Sequence, residues 1–190
     1  MNPRAVLFAL ARLALIDPIA GGRAILALNP PLIARWMLLA AAVLAMSVVF
    51  YLLPLAQGSA EDLMPPFAFA ATQGAMNVFV VALITHVGRG FGGTGRFADA
   101  LWLMGWLQVL TVALLVAQVL AMVALPFLID PVAVAAIALS IWVLVGFVCA
   151  LHGFTSRARV LVGGVMVFVV ASFVLAMLLL VLGFAPTEFQ

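Results

Sequence analysis

Five long runs of apolar residues, at 36–55, 67–87, 101–124, 132–151 and 160–184, divide the chain into six polar pieces. A helix rises 1.5 Å per residue, so about 20 apolar residues cross a hydrocarbon core of roughly 30 Å. Each run meets that length, and each must be helical, because lipid offers no partner to an unpaired backbone group. The pattern therefore predicts five membrane-spanning helices. Ahead of them, residues 3–28 show a different pattern. Arg4 and Arg12 fall within about 80° of each other on a helical wheel, while Leu7, Leu10, Ala14 and Leu15 populate other sides. This segment reads as two short amphipathic helices broken at Asp17-Pro18. They either lie along the inner membrane surface, with arginine stems reaching to the headgroups, or pack beneath the bundle.

The expected fold is an all-α integral membrane protein, a five-transmembrane-helix bundle with N-terminal interfacial amphipathic helices. Its parts are a cytoplasmic amphipathic segment at 1–35, the bundle at 36–184 and an external tail at 185–190. Asn29-Pro30-Pro31 ends the first part, and Arg35 and Trp36 anchor the first span. Pro54, Pro65, Pro66, Pro126, Pro131 and Pro186 fall at span ends or in loops on one side, where a missing N–H matters least. Asp17-Pro18 and Asp130-Pro131 each resemble an N-cap followed by proline at the first helical position. Gly74, Gly105 and Gly146 lie inside spans and are expected to allow close helix contacts.

Charge fixes the orientation. All eight basic residues are arginines. Arg4, Arg12, Arg23 and Arg35 precede the first span, Arg89 and Arg96 follow the second, and Arg157 and Arg159 follow the fourth. The alternate pieces hold none, and they carry Glu61, Asp62, Asp130 and Glu188 instead. Arginine-rich short loops resist translocation, so the N-terminus is expected in the cytoplasm and the C-terminus outside. The basic side includes only two acids, Asp17 and Asp99.

Composition narrows the class further. With 68% hydrophobic and 7% charged residues and a mean hydropathy of +1.39, the chain has no soluble reading. Its basic pI reflects orientation and anionic headgroups rather than nucleic-acid binding. A complete lack of lysine beside abundant alanine points to a GC-rich bacterial genome, and so to the bacterial inner membrane. Cys149 is the single cysteine, which excludes an intramolecular disulfide. The short apolar run 5–16, interrupted by Arg12, does not have the form of a cleavable signal.

Candidate chemistry is sparse. Residues 90–95 match G-x-G-x-x-G, but a span rather than a β-strand precedes them, which excludes dinucleotide binding. A tight turn is favoured over a backbone nest for a lipid phosphate. His86, Cys149 and His152 lie near the basic ends of spans two and four and are weak metal candidates. They lack the four-ligand spacing of a zinc site, so no metal is expected. Gln73 and Asn77 on span two, and Gln108, Thr111 and Gln118 on span three, are expected to bond helices together. The rival reading has them line a polar cavity for a solute. The spans hold no ionisable Asp, Glu, Lys or Arg to mark an ion or proton path. No nucleophile–base pair emerges, so no enzyme activity and no cofactor are expected.

Several ordered features resemble the Yip family of membrane proteins (Ypt/Rab-interacting proteins), in its bacterial branch. They are Asp17-Pro18 on an amphipathic segment ahead of five spans, the loop from Gly88 to Leu101, Trp106-Leu107-Gln108 in span three, and His152-Gly153-Phe154 after span four. The resemblance covers nearly the whole chain and implies the same five-span, N-inside fold. Eukaryotic members recruit or regulate Rab-type GTPases, but their Asp-Leu-Tyr-Gly-Pro signature is absent here, and Leu28-Asn29-Pro30-Pro31 stands in that region. The expected function is accordingly a membrane-organising or scaffolding role through helix and lipid contacts. Its contact surface would comprise Arg12, Arg23, Arg89, Arg96, Arg157 and Arg159. The expected partners are membrane lipids with anionic headgroups, and a membrane protein or a second copy, with no nucleic acid. The alternatives are a small transport component or an accessory subunit of a larger membrane complex.

Overall fold

The structure is a computed structural model and describes residues 3–56 and 63–181. Among them it contains seven α-helices: α1 (Pro3–Ile16), α2 (Pro18–Ala27), α3 (Leu32–Ala56), α4 (Pro66–Gly90), α5 (Phe97–Ala124), α6 (Ile129–His152) and α7 (Arg157–Val181). The last five are long and apolar enough to cross a membrane. Glu61, Asp62, Pro186 and Glu188, the tail at 185–190 and the last residues of the run 160–184 lie outside the described residues.

Local chemistry explains the breaks. Asp17 leaves the helical region at φ −132° and ψ 89°. Its carboxylate accepts the N–H groups of Ile19 at 3.2 Å and Ala20 at 3.3 Å, and Pro18 follows at the first helical position. Asn29 sits in the left-handed region at φ 39°, and Pro30-Pro31 prevents α2 from resuming. Asp130 does not perform the capping expected of it. α6 begins at Ile129, after a 3-10 turn at Pro126–Leu128, with Leu128 at the cap position. Asp130 therefore lies inside the first turn, where its charge still faces the positive end of the helix dipole.

The chain divides into two compact units, one up to Thr155 and one from Ser156 onward. In the first, α5 is the central helix, packed against α2, α3, α4 and α6. Every residue from Ala100 to Leu107 is buried. Around them pack Ile25 of α2, Leu39 and Val43 of α3, Val81 of α4, and Val143 and Phe147 of α6. Beyond Leu110, side chains of α5 such as Leu120 and Val123 are exposed. The core is thus concentrated toward the start of α5. At the other end, Tyr51 donates its hydroxyl hydrogen to the Met64 carbonyl. The neighbouring Phe50 and Phe69 rings stack with centroids 4.8 Å apart.

α2 packs on α6 through small residues. A Cβ at Gly146 would run into the ring of Pro18, and one at Gly22 would meet Ala150. The indole N–H of Trp102 donates to the Ile25 carbonyl at 2.9 Å, which ties α2 to α5 as well. The N-terminal helices thus pack against the bundle on one side and expose Arg12 and Arg23 on the other. Gly105 faces Leu38 of α3, as expected of a contact glycine, whereas a Cβ at Gly74 would meet nothing within 4 Å among the described residues. In the second unit, the Ser156 hydroxyl accepts the N–H of Arg159 at 3.3 Å at the start of α7.

Candidate functional site

The starts of α3 and α5 and the ends of α4 and α6 are brought to one end of the first unit by two clusters of hydrogen bonds. In the first cluster, α4 ends in a Schellman-type cap. Gly92 is left-handed at φ 85°, its N–H donates to the Arg89 carbonyl at 2.9 Å, and that of Gly93 donates to the Gly88 carbonyl at 2.9 Å. The loop then folds over His152, which is only 3% exposed. The N–H of Gly95 donates to Nδ1 of His152 at 3.1 Å, and Nε2 lies 3.2 Å from the Ile84 carbonyl. A Cβ placed at Gly88, Gly93 or Gly95 would fall less than 3.0 Å from ring atoms of that imidazole. The glycines therefore make a socket whose walls are bare backbone. Phe154 stacks on the ring at 5.3 Å, and Gly153, left-handed at φ 75°, turns the chain out of α6 beside it.

The glycine run thus works as the expected turn and also as a receptor for one side chain. The phosphate nest is not formed, since the N–H groups of Gly92, Gly93 and Gly95 are all donated within the protein.

The second cluster centres on Arg35, buried at 6% exposure. Its guanidinium donates to Asp99 Oδ1 at 2.6 Å, Asn29 Oδ1 at 2.7 Å and the Pro30 carbonyl at 2.9 Å. One side chain therefore holds together the linker after α2, the start of α3 and the first turn of α5. Asp99, in the first turn of α5, is the partner of a buried cation. Arg35 is consumed in this clamp and does not belong to the outward-facing arginines.

Deeper in the unit, Gln108 of α5 donates to Asn77 Oδ1 of α4 at 2.5 Å. The Asn77 amide donates in turn to the Gln73 carbonyl at 2.8 Å. Thr111 bonds the Leu107 carbonyl of its own helix at 2.9 Å. Gln118 lies three helical turns beyond Gln108, roughly 15 Å along α5, and takes no part in this group. A narrow cleft between α4, α5 and α6 is lined by Ile84, Leu103, Met104, Leu107, Phe147 and Leu151, among others. Its named walls are apolar, and Asn77 and Gln108 do not line it.

His86, Cys149 and His152 are not brought together. His86 is exposed on α4, with Nδ1 2.7 Å from the Ala82 carbonyl, while Cys149 and His152 are buried. Among the described residues no group of three or more His, Cys, Asp or Glu side chains is placed to hold a metal. Arg12, Arg23, Arg89 and Arg96 are exposed, and Arg89 also donates from Nε to the Gly95 carbonyl at 2.8 Å. Arg157 and Arg159 lie in the second unit, on the first turn of α7. The Arg35 clamp and the His152 socket are the two features that sequence reasoning missed. Gly88, Gly93, Gly95 and His152-Gly153 stand plainly in the sequence, but nothing in the linear pattern pairs the glycines with the histidine.

The family model described as the Yip1 domain matches residues 12–179. No curated protein and no solved structure matches the chain.

Proposed function

From the premise that this chain belongs to the Yip1 domain family and is a multi-pass membrane protein, we propose that it organises membrane as a non-enzymatic scaffold. It would act in the bacterial inner membrane, with the N-terminus cytoplasmic and the C-terminus external, through helix contacts and anionic headgroups. The single observation that carries this reading is the direct bond between Gln108 and Asn77. The paired amides bond α4 to α5, and the neighbouring cleft has apolar walls, so the arrangement favours helix association over a solute path. Arg12, Arg23, Arg89 and Arg96 are exposed, which suits them to lipid phosphates or an acidic partner surface. Large apolar side chains such as Leu44, Val48, Met76 and Phe79 are exposed as well, which suits lipid or a neighbouring transmembrane helix.

The test is extraction into lipid nanodiscs followed by native mass spectrometry of everything retained. A stoichiometric protein partner, a second copy or a retained shell of anionic lipid supports the organising role. Specific retention of one small solute, lost on Ala substitution of Gln108, would replace it with the transport reading.

A further inference from the structure

The N-terminal pair of helices reaches deeper than a helix lying on a membrane surface. Pro18 occupies the notch at Gly146, and four residues on, Gly22 meets Ala150, likewise four residues on along α6. α2 therefore runs parallel to α6 and stands beside it. Just before the break, the Leu15 carbonyl accepts the indole N–H of Trp142 at 3.2 Å. The headgroup level at this end is marked by His152, bonded to the loop that carries Arg89 and Arg96. Gly146 and Trp142 precede His152 by six and ten residues, or about 9 and 15 Å along the helix. A helix lying flat sinks only about 5–10 Å, and half the hydrocarbon core is about 15 Å.

The pair is equipped for that depth. The Asp17 carboxylate at the turn is engaged by the N–H groups of Ile19 and Ala20. Leu7, Phe8, Leu13 and Ile16 are exposed on α1, suited to acyl chains. Arg12, also exposed, has a stem long enough to return its charge to the headgroups.

We infer that α1 and α2 form a wedge in one leaflet only, and that the protein recognises a lipid bilayer whose leaflet on the arginine side is convex. This rests on the membrane-organising reading and names the lipid surface it acts on. Each span crosses both leaflets and adds similar cross-section to each, whereas α1 and α2 add theirs to one. Displaced lipid on that side is accommodated by bending toward it. By reciprocity, a membrane already bent that way binds the protein better.

The test uses the full chain in giant vesicles of phosphatidylcholine, from which narrow tubes are drawn and protein density is compared between tube and parent vesicle. With N-termini outward, the tube is enriched about twofold or more, and with the opposite orientation it is depleted. Equal density in both overturns the inference. Gly146→Leu, which fills the Pro18 notch, abolishes the enrichment. Should that variant not fold, a nitroxide on Ile16→Cys decides the geometry. A label more accessible to oxygen than to an aqueous nickel chelate supports the wedge, and the reverse order overturns it. A deep label with no curvature preference overturns the recognition of convex leaflets, while the organising role is judged separately by what the nanodiscs retain.

Discussion

His152 on α6 and Gly95 in the loop before α5 are joined by a hydrogen bond of 3.1 Å across 57 residues. The ring's other nitrogen faces the Ile84 carbonyl of α4 at 3.2 Å. One neutral tautomer, with the proton on Nε2, serves both partners at once. A single imidazole thereby ties α6 to α4 and to the arginine-bearing loop that leads into α5. An imidazolium would set a second donor against the Gly95 N–H and lose that bond.

Gly93→Ala should destabilise the first unit by about 1–3 kcal/mol, because the new methyl meets a buried ring that has no room to withdraw. The check is thermal unfolding in nanodiscs, alone and combined with His152→Ala. In the double variant the methyl enters the space left by the ring, so the losses should be clearly less than additive. Full additivity would contradict the socket.

Asp99→Ala should be more damaging than the paired change Arg35→Met with Asp99→Ala. The single variant leaves a buried guanidinium without its counter-charge, at a cost toward the low end of about 3–5 kcal/mol because Asp99 is a third exposed. The double variant removes the charge together with its need for a partner. Unfolding midpoints in the opposite order would show that Arg35 is held by Asn29 and Pro30 without needing the Asp99 charge.

The Asn77 and Gln108 amides should show a modest coupling, about 0.6 kcal/mol, in a double-mutant cycle of Leu substitutions scored by unfolding. Zero coupling would mean that the two do not act as a pair, and the case against a polar path would lose its main support.

Arg12→Gln, Arg23→Gln and Arg96→Gln are each expected to weaken retention of anionic lipid about fivefold, with little change in unfolding midpoint. Native mass spectrometry of phosphatidylglycerol carried by the purified protein measures this, and added salt should shrink the differences. Arg89 is a poorer choice, since its Nε also holds the Gly95 carbonyl. Unchanged lipid retention in all three variants would remove the headgroup contact from the proposed function.

The spans were legible in the sequence because lipid imposes a minimum apolar length and forbids open backbone. Their ends were less so. α5 starts at Phe97 rather than near Leu101, because helix continues through the interface where polar residues such as Asp99 are tolerated. The Asp17-Pro18 break could be read from two adjacent residues, since a cap is local chemistry. The same dipeptide at Asp130-Pro131 misled, because the 3-10 turn ahead of it had already started the helix. The Arg35–Asp99 pair and the His152 socket were not legible. Each joins residues more than 50 positions apart, and nothing in a linear pattern says which helix ends will meet.

The seat of α2 on α6 also has a consequence for the order in which the protein is made. Leu15 and its partner Trp142 are separated by 127 residues, so α1 and α2, which can already meet α5 through Ile25 and Trp102, must wait for the fourth span before their seat on α6 exists. Until then the faces that meet α6 have only lipid or an insertion factor to cover them. The first unit closes when α6 arrives, and a chain arrested before Gly146 should carry an N-terminus open to protease.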